Sequence, residues 1–162
     1  MPTAVEYFLN IDGIKGESTD SKHKDEIDLM SFSWGAAQLG GGGGGGGGAA
    51  GKVQFQDLHI TKDVDKSSPI LFQRCATGTH IKEGTLIARK AGERQHEFLI
   101  IKMNDILVTS YQPGGSGRDT LPTEQMSLNF AKFEYSYIPQ KADGTPDAGL
   151  HFKYDIKGNK EG

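Results

Sequence analysis

The sequence lacks most of what would announce chemistry or a membrane. It holds one cysteine, Cys75, in 162 residues. A lone thiol makes no internal disulfide and no zinc site. Cys75 sits in an apolar stretch with helical spacing, where packing against the core is expected. No segment approaches the ~18 consecutive apolar residues of a membrane-spanning helix. The opening MPTAVEYFLNIDG has neither a basic start nor an apolar centre, so no secretory signal is expected there. The formal net charge is -3, and no block of Lys or Arg offers the basic face that nucleic acid requires. Hydrophobic residues make up 35 % and mean hydropathy is -0.50. Together these values read as one soluble domain, since two would each be too small to bury a good core.

Motifs for catalysis or cofactor binding also fall short. Gly46–Val53 reads GGGAAGKV, close to a phosphate-binding loop. Val53 supplies no hydroxyl for magnesium, and the segment leads into a strand where the phosphate cradle needs a helix N-terminus. Gly114-Gly115-Ser116-Gly117-Arg118 imitates a nucleophile elbow, but Arg118 stands where the last glycine is needed. The five histidines, at 23, 59, 80, 96 and 151, form no pair at metal-ligand spacing. The acidic residues between Asp12 and Glu26 lack the ligand order of a calcium loop. Neither an enzyme nor a bound cofactor is expected. A sugar-binding β-sandwich presenting Tyr111 or Tyr137 has only generic support, since such rings more often pack inward.

What the chain does have is alternation. Val5, Tyr7, Leu9 and Ile11 alternate with polar residues and predict a first strand. Ile27–Trp34 predicts a second, with Met30, Phe32 and Trp34 toward the core. The opposite face, Ile27, Leu29, Ser31 and Ser33, is expected to be less buried and wet. Gly40–Gly48 is nine glycines in a row, expected to be a projecting loop rather than a linker between domains. In Val53–Lys62 the apolar phase slips, which predicts a bulge near Gln56–Asp57. Ser68 as N-cap, Pro69 at the first helical position and Gly78 as stop predict one short helix. Strands are expected over 84–90, 95–104, 105–112 and 123–138, the last with a bulge or sharp bend where its apolar phase switches. A final strand carries Leu150, Phe152, Tyr154 and Ile156. About eight strands and one helix, punctuated by Gly and Pro, favour a barrel or a sandwich.

Several scattered segments together resemble the haemolysin-coregulated protein (Hcp) family of type VI secretion. They include Gly16-Glu17-Ser18 with His23, Phe32-Ser33-Trp34-Gly35, Phe55-Gln56-Asp57-Leu58, and Asp65-Lys66-Ser67-Ser68-Pro69. Arg89-Lys90-Ala91-Gly92, Ser127-Leu128-Asn129-Phe130 and Pro139-Gln140-Lys141-Ala142-Asp143-Gly144 continue the match in order. The resemblance implies a mainly β fold: a β-barrel of two antiparallel sheets, one short α-helix and an extended Gly-rich loop, in a single domain over 1–162. It implies a tube subunit that forms six-membered rings, stacks them, and works with a contractile sheath, a VgrG-like spike and effector cargo. Such a protein is assembled in the bacterial cytoplasm and leaves through the machine itself, without a cleaved signal. Leu29, Ser31 and Ser33 become the expected pore-facing residues. Gln38, Leu39, Ala49, Ala50 and Lys52, in the extended loop, become the expected contacts between subunits.

Overall fold

A computed structural model describes residues 4–39, 52–92 and 94–162. The glycine tract, with Ala49 and Ala50, lies outside the described residues. Eleven strands and one helix follow in the order β1 (Val5–Ile11), β2 (Ile27–Leu29), β3 (Ser31–Ser33), β4 (Ala36–Gln38), β5 (Val53–Phe55), β6 (Leu58–Asp63), α1 (Ser68–Thr77), β7 (Ile81–Lys90), β8 (Glu97–Gly114), β9 (Thr123–Tyr137), β10 (Leu150–Asp155) and β11 (Lys160–Glu161). All pairings are antiparallel. The two sheets are very unequal: nine strands in one, and only the β4–β5 pair in the other.

The large sheet runs β11-β10-β9-β8-β7-β1-β2, with β6 joined to β9 and β3 joined to β6. The segment 27–33 therefore holds both ends of the path, first on β1 and then on β6. Among the described residues, curling is completed by this change of partner and not by an unbroken ring of ladders. The change occurs at Met30. Its N–H bonds to the Thr61 carbonyl at 2.8 Å, although Ser31 is the residue paired with Thr61. Two residues facing one is a bulge, and it reverses the side-chain alternation. Ile27 and Leu29 therefore point into the core, Met30 is exposed, and Phe32 and Trp34 turn inward beyond it.

The core is one cluster that includes Leu9, Ile11, Ile27, Leu58, Ile60, Leu86, Ile101, Ile106, Met126 and Leu128. β8 is a single strand where the sequence predicted two. Its pairing with β9 keeps one register from Leu99↔Tyr137 to Val108↔Leu128. Yet Leu99, Ile101 and Met103 are buried at one end, Ile106 and Val108 at the other, which are opposite faces of a regular strand. Asp105, with φ of 56°, marks the crossing. The phase switch in β9 is thus a bend of the whole ribbon, with no residue inserted. A true bulge lies further on, at Val108/Ser110. The slip expected at Gln56–Asp57 separates β5 from β6, which belong to different sheets.

The helix starts where expected, but its cap differs. Ser67 holds the N-cap position and makes no capping hydrogen bond. Ser68 is inside the helix and uses its hydroxyl elsewhere. Gly78, at φ 67°, ends the helix in the left-handed conformation that glycine takes without a Cβ penalty. Cys75 is half-buried against the core.

Candidate assembly surfaces

Cross-strand register places side chains side by side across a sheet, so the outer face of β3-β6-β9-β8 can be read in rows. One row is Ser33, His59, Ser127 and Ser110; the next is Ser31, Thr61, Gln125 and Gln112. Neither row holds a carboxylate, ammonium or guanidinium. Ser31 and Ser33 are exposed, as the sequence suggested, but Leu29 is 8 % exposed and belongs to the core. The bulge at Met30 is the reason: alternation carried Leu29 onto the serine face only on the assumption of an unbroken strand. His59, Gln125 and Gln112 were missed, because only pairing brings them beside the serines. The far end of the face is tied by Thr109, whose hydroxyl lies 2.7 Å from Asp57 Oδ2 and 2.7 Å from Ser127 Oγ.

Among the described residues β3 pairs only with β6, and the β7–β8 ladder stops at Ile81↔Ile106, so this four-strand sheet has no further strand on either side. Residues 107–114 of β8 therefore have β9 on one flank and no strand on the other among the described residues. Unpaired N–H and C=O groups of this kind invite another strand. The β4–β5 pair stands apart from the large sheet, joined through Ala36↔Phe55, Ala37↔Gln54 and Gln38↔Val53. Gln38, Leu39 and Lys52 are exposed there.

Two buried ionic clusters brace the frame. Lys62 and Glu124 face each other across β6 and β9, both fully buried and ion-paired, with Asp65 Oδ1 2.9 Å from Lys62 Nζ. Ser68 donates to Glu124 at 2.8 Å, and the Tyr111 hydroxyl donates to the other Glu124 oxygen. Burial, with the Glu124 carboxylate beside it, pushes the Tyr111 pKa up to about 12. The second cluster pins the loop before β2. Arg89 reaches Asp20 through Nη2 at 2.7 Å and Nη1 at 3.0 Å, and Glu6 at 3.1 Å. That contact holds the Asp20 carboxyl well below the usual carboxylate range. Arg89 also lies over the Phe8 ring, on which His23 stacks at 4.3 Å. His23 bridges Glu26 at 3.0 Å and Glu97 at 2.6 Å.

Residues 8–137 match the family described as "Type VI secretion system effector, Hcp". The chain belongs to the Hcp family. It is 47 % identical over 158 residues to the protein hcp1 of Pseudomonas aeruginosa strain PAO1, covering 96 % of this chain and 98 % of that protein. Among solved structures it is similar to Hcp1 of Salmonella typhimurium, with a TM-score of 0.81 and 35 % identity over 98 % of this chain and 99 % of that one. A type six secretion system protein superposes with a TM-score of 0.91 at 27 % identity, covering 98 % of this chain and 100 % of the other. An Hcp chain serves type VI secretion as a secreted, structural tube protein. Among the described residues no helix is long and apolar enough to cross a membrane.

Proposed function

We propose that copies of this Hcp chain join side by side into six-membered rings, that rings stack into a hollow tube, and that the serine-rich face lines the lumen. One observation carries the reading. The two middle rows of the outer face of the β3-β6-β9-β8 sheet are hydrophilic and hold no carboxylate, ammonium or guanidinium, with Asp63 and Asp57 beyond them at either end, and among the described residues no further strand pairs with β3 or with residues 107–114 of β8. A sheet with two open, non-identical edges meets its copies through a heterologous contact, which either closes into a ring or runs on as a filament. Closure removes the exposed edges and turns the four-strand face toward a common axis. Hydroxyls and amides there hold cargo through hydrogen bonds without trapping it by charge.

The same reading makes the chain a scaffold and not a catalyst. Asp20, Arg89 and Tyr111 sit in contacts that fasten elements of the frame together. The partners are further copies of the chain, effector cargo, the sheath outside the tube and a VgrG-like spike at its tip. Assembly in the cytoplasm is followed by export through the machine. Light scattering and negative-stain imaging of the purified protein test the proposal: hollow rings of one diameter are expected. A monodisperse monomer at micromolar concentration overturns it.

A further inference from the structure

Four of the five histidines are tied down by the fold. His23 lies between Glu26 and Glu97 at 3.0 and 2.6 Å, and His80 meets Asp105 at 2.7 Å. His96 bonds the Ile138 carbonyl at 2.7 Å, and His151 the Ser136 hydroxyl at 2.6 Å. His59 alone has no side-chain hydrogen bond or ion pair among the described residues. It is exposed, in the middle of the outer face of β6, between Ser33 of β3 and Ser127 of β9. Only hydroxyls and amides face it from those two strands and from Ser110 of β8 beyond. The charges nearest in sequence on this face are Asp57 and Asp63, to either side along β6. Asp57 is engaged by the Thr109 hydroxyl at 2.7 Å and the Asn129 amide at 3.0 Å. The Lys62–Glu124 pair is fully buried on the reverse side.

We infer that His59 sets the charge of this face and thereby selects its cargo. Neutral, it leaves the face to hydrogen bonding; protonated, it makes the face grip an acidic protein surface. Histidine is the side chain that ordinarily changes charge between about pH 5 and 8. An exposed imidazole with no partner gains its proton without breaking any contact of the fold. A basic cargo follows the opposite trend, because Asp57 and Asp63 frame the face when His59 is neutral. Every copy in a ring adds the same charge to one channel, so the effect grows with the number of copies a cargo touches. The inference rests on the reading of this face as the lumen, and adds to it the class of surface that is held.

Labelled poly-aspartate and poly-lysine peptides probe it by fluorescence anisotropy, with the purified protein imaged for rings under each condition. At low salt, poly-aspartate should bind wild-type rings about threefold more tightly, or more, at about pH 5.5 than at about pH 8, the order expected of an exposed ion pair. High salt should erase the gain. Poly-lysine should bind less tightly over the same step. His59→Gln should abolish the difference. His59→Lys should bind poly-aspartate at the higher pH as well as the wild type does at the lower. His80→Gln, outside this face, should keep the wild-type pH dependence. Position 59 is exposed, so all three variants should melt near the wild-type temperature. Wild-type protein that stays monomeric overturns the lumen reading itself. Wild-type rings whose affinity for poly-aspartate is the same at both pH values, or changes equally in His59→Gln, overturn only this inference. Rings that dissociate on acidification in the wild type but not in His59→Gln place His59 at a subunit contact and overturn it as well.

Discussion

Lys62 and Glu124 are charged residues in places with almost no solvent, and each is tolerable only because of the other. Removing one partner strands a buried charge, at a cost of ~3–5 kcal/mol, whereas replacing both by apolar groups of similar size can be nearly neutral. Lys62→Met is therefore expected to lower the urea midpoint strongly, and Lys62→Met with Glu124→Leu to recover much of the loss. A double variant no better than the single one would show that Ser68, Asp65 and Tyr111 depend on the pair for their own satisfaction. Asp20 gives a second prediction. Its folded pKa lies below the unfolded value of ~3.9. It therefore contributes stability that is fully present above that value and is lost as pH falls toward the folded pKa. Thermal melts of Asp20→Asn should show a lower plateau near neutrality and a flatter acid limb below about pH 4. An acid limb as steep as the wild type's would remove Asp20 from the account. The Lys62–Glu124 pair was legible in principle: Lys62 keeps phase with Leu58 and Ile60, and Glu124 with Met126 and Leu128. The Arg89–Asp20 pair was not, because 69 residues separate its members and only the fold joins them.

At the scale of elements, strands with unbroken alternation were readable and those with reversals were not. β1 and the start of β9 fall where period-two spacing put them. The segment 27–34 was misassigned in part because one extra residue at Met30 flips every side chain before it relative to those after it. That flip moved Leu29 from the expected lumen to the core and Met30 from the core to the surface. β4 and β11 are too short to leave a periodic trace. Two glycines, one in the loop between β1 and β2 and one at the end of α1, show how tightly the path is set. A Cβ on Gly16 would stand 2.6 Å from the Glu26 carbonyl oxygen and 2.7 Å from Ile27 Cα, both backbone atoms unable to move aside. Gly16→Ala should therefore cost ~1–3 kcal/mol, the range for overpacking a well-fitted site. Gly78→Ala meets no neighbour within 4 Å but must hold φ at 67°, so a loss of about 1 kcal/mol is expected from backbone strain alone. Denaturant melts that rank Gly78→Ala as the more damaging change would contradict this order.

At the scale of the whole molecule, the proposed ring would multiply whatever a single chain presents. A substitution on the outer face of β3 would then appear once per subunit around the same lumen, so a small change in side-chain volume would narrow the channel from every side. Ser33 is the sharpest place to use this. It is exposed, and it lies in the row with His59, Ser127 and Ser110. Ser33→Gln keeps a neutral hydrogen-bonding group and changes only a side chain on the outer face of β3, not the backbone of that edge strand. Rings of wild-type diameter should form at wild-type concentrations, while a co-expressed effector that co-purifies with wild-type rings should be retained less. The two readouts separate the two claims. If rings are lost, Ser33 lies at a subunit contact and the serine face is not the lumen. If rings persist and cargo is held as well as before, the face can still line the channel, but the grip on cargo comes from elsewhere on it, with Gln125 and His59 the next exposed side chains in the same two rows.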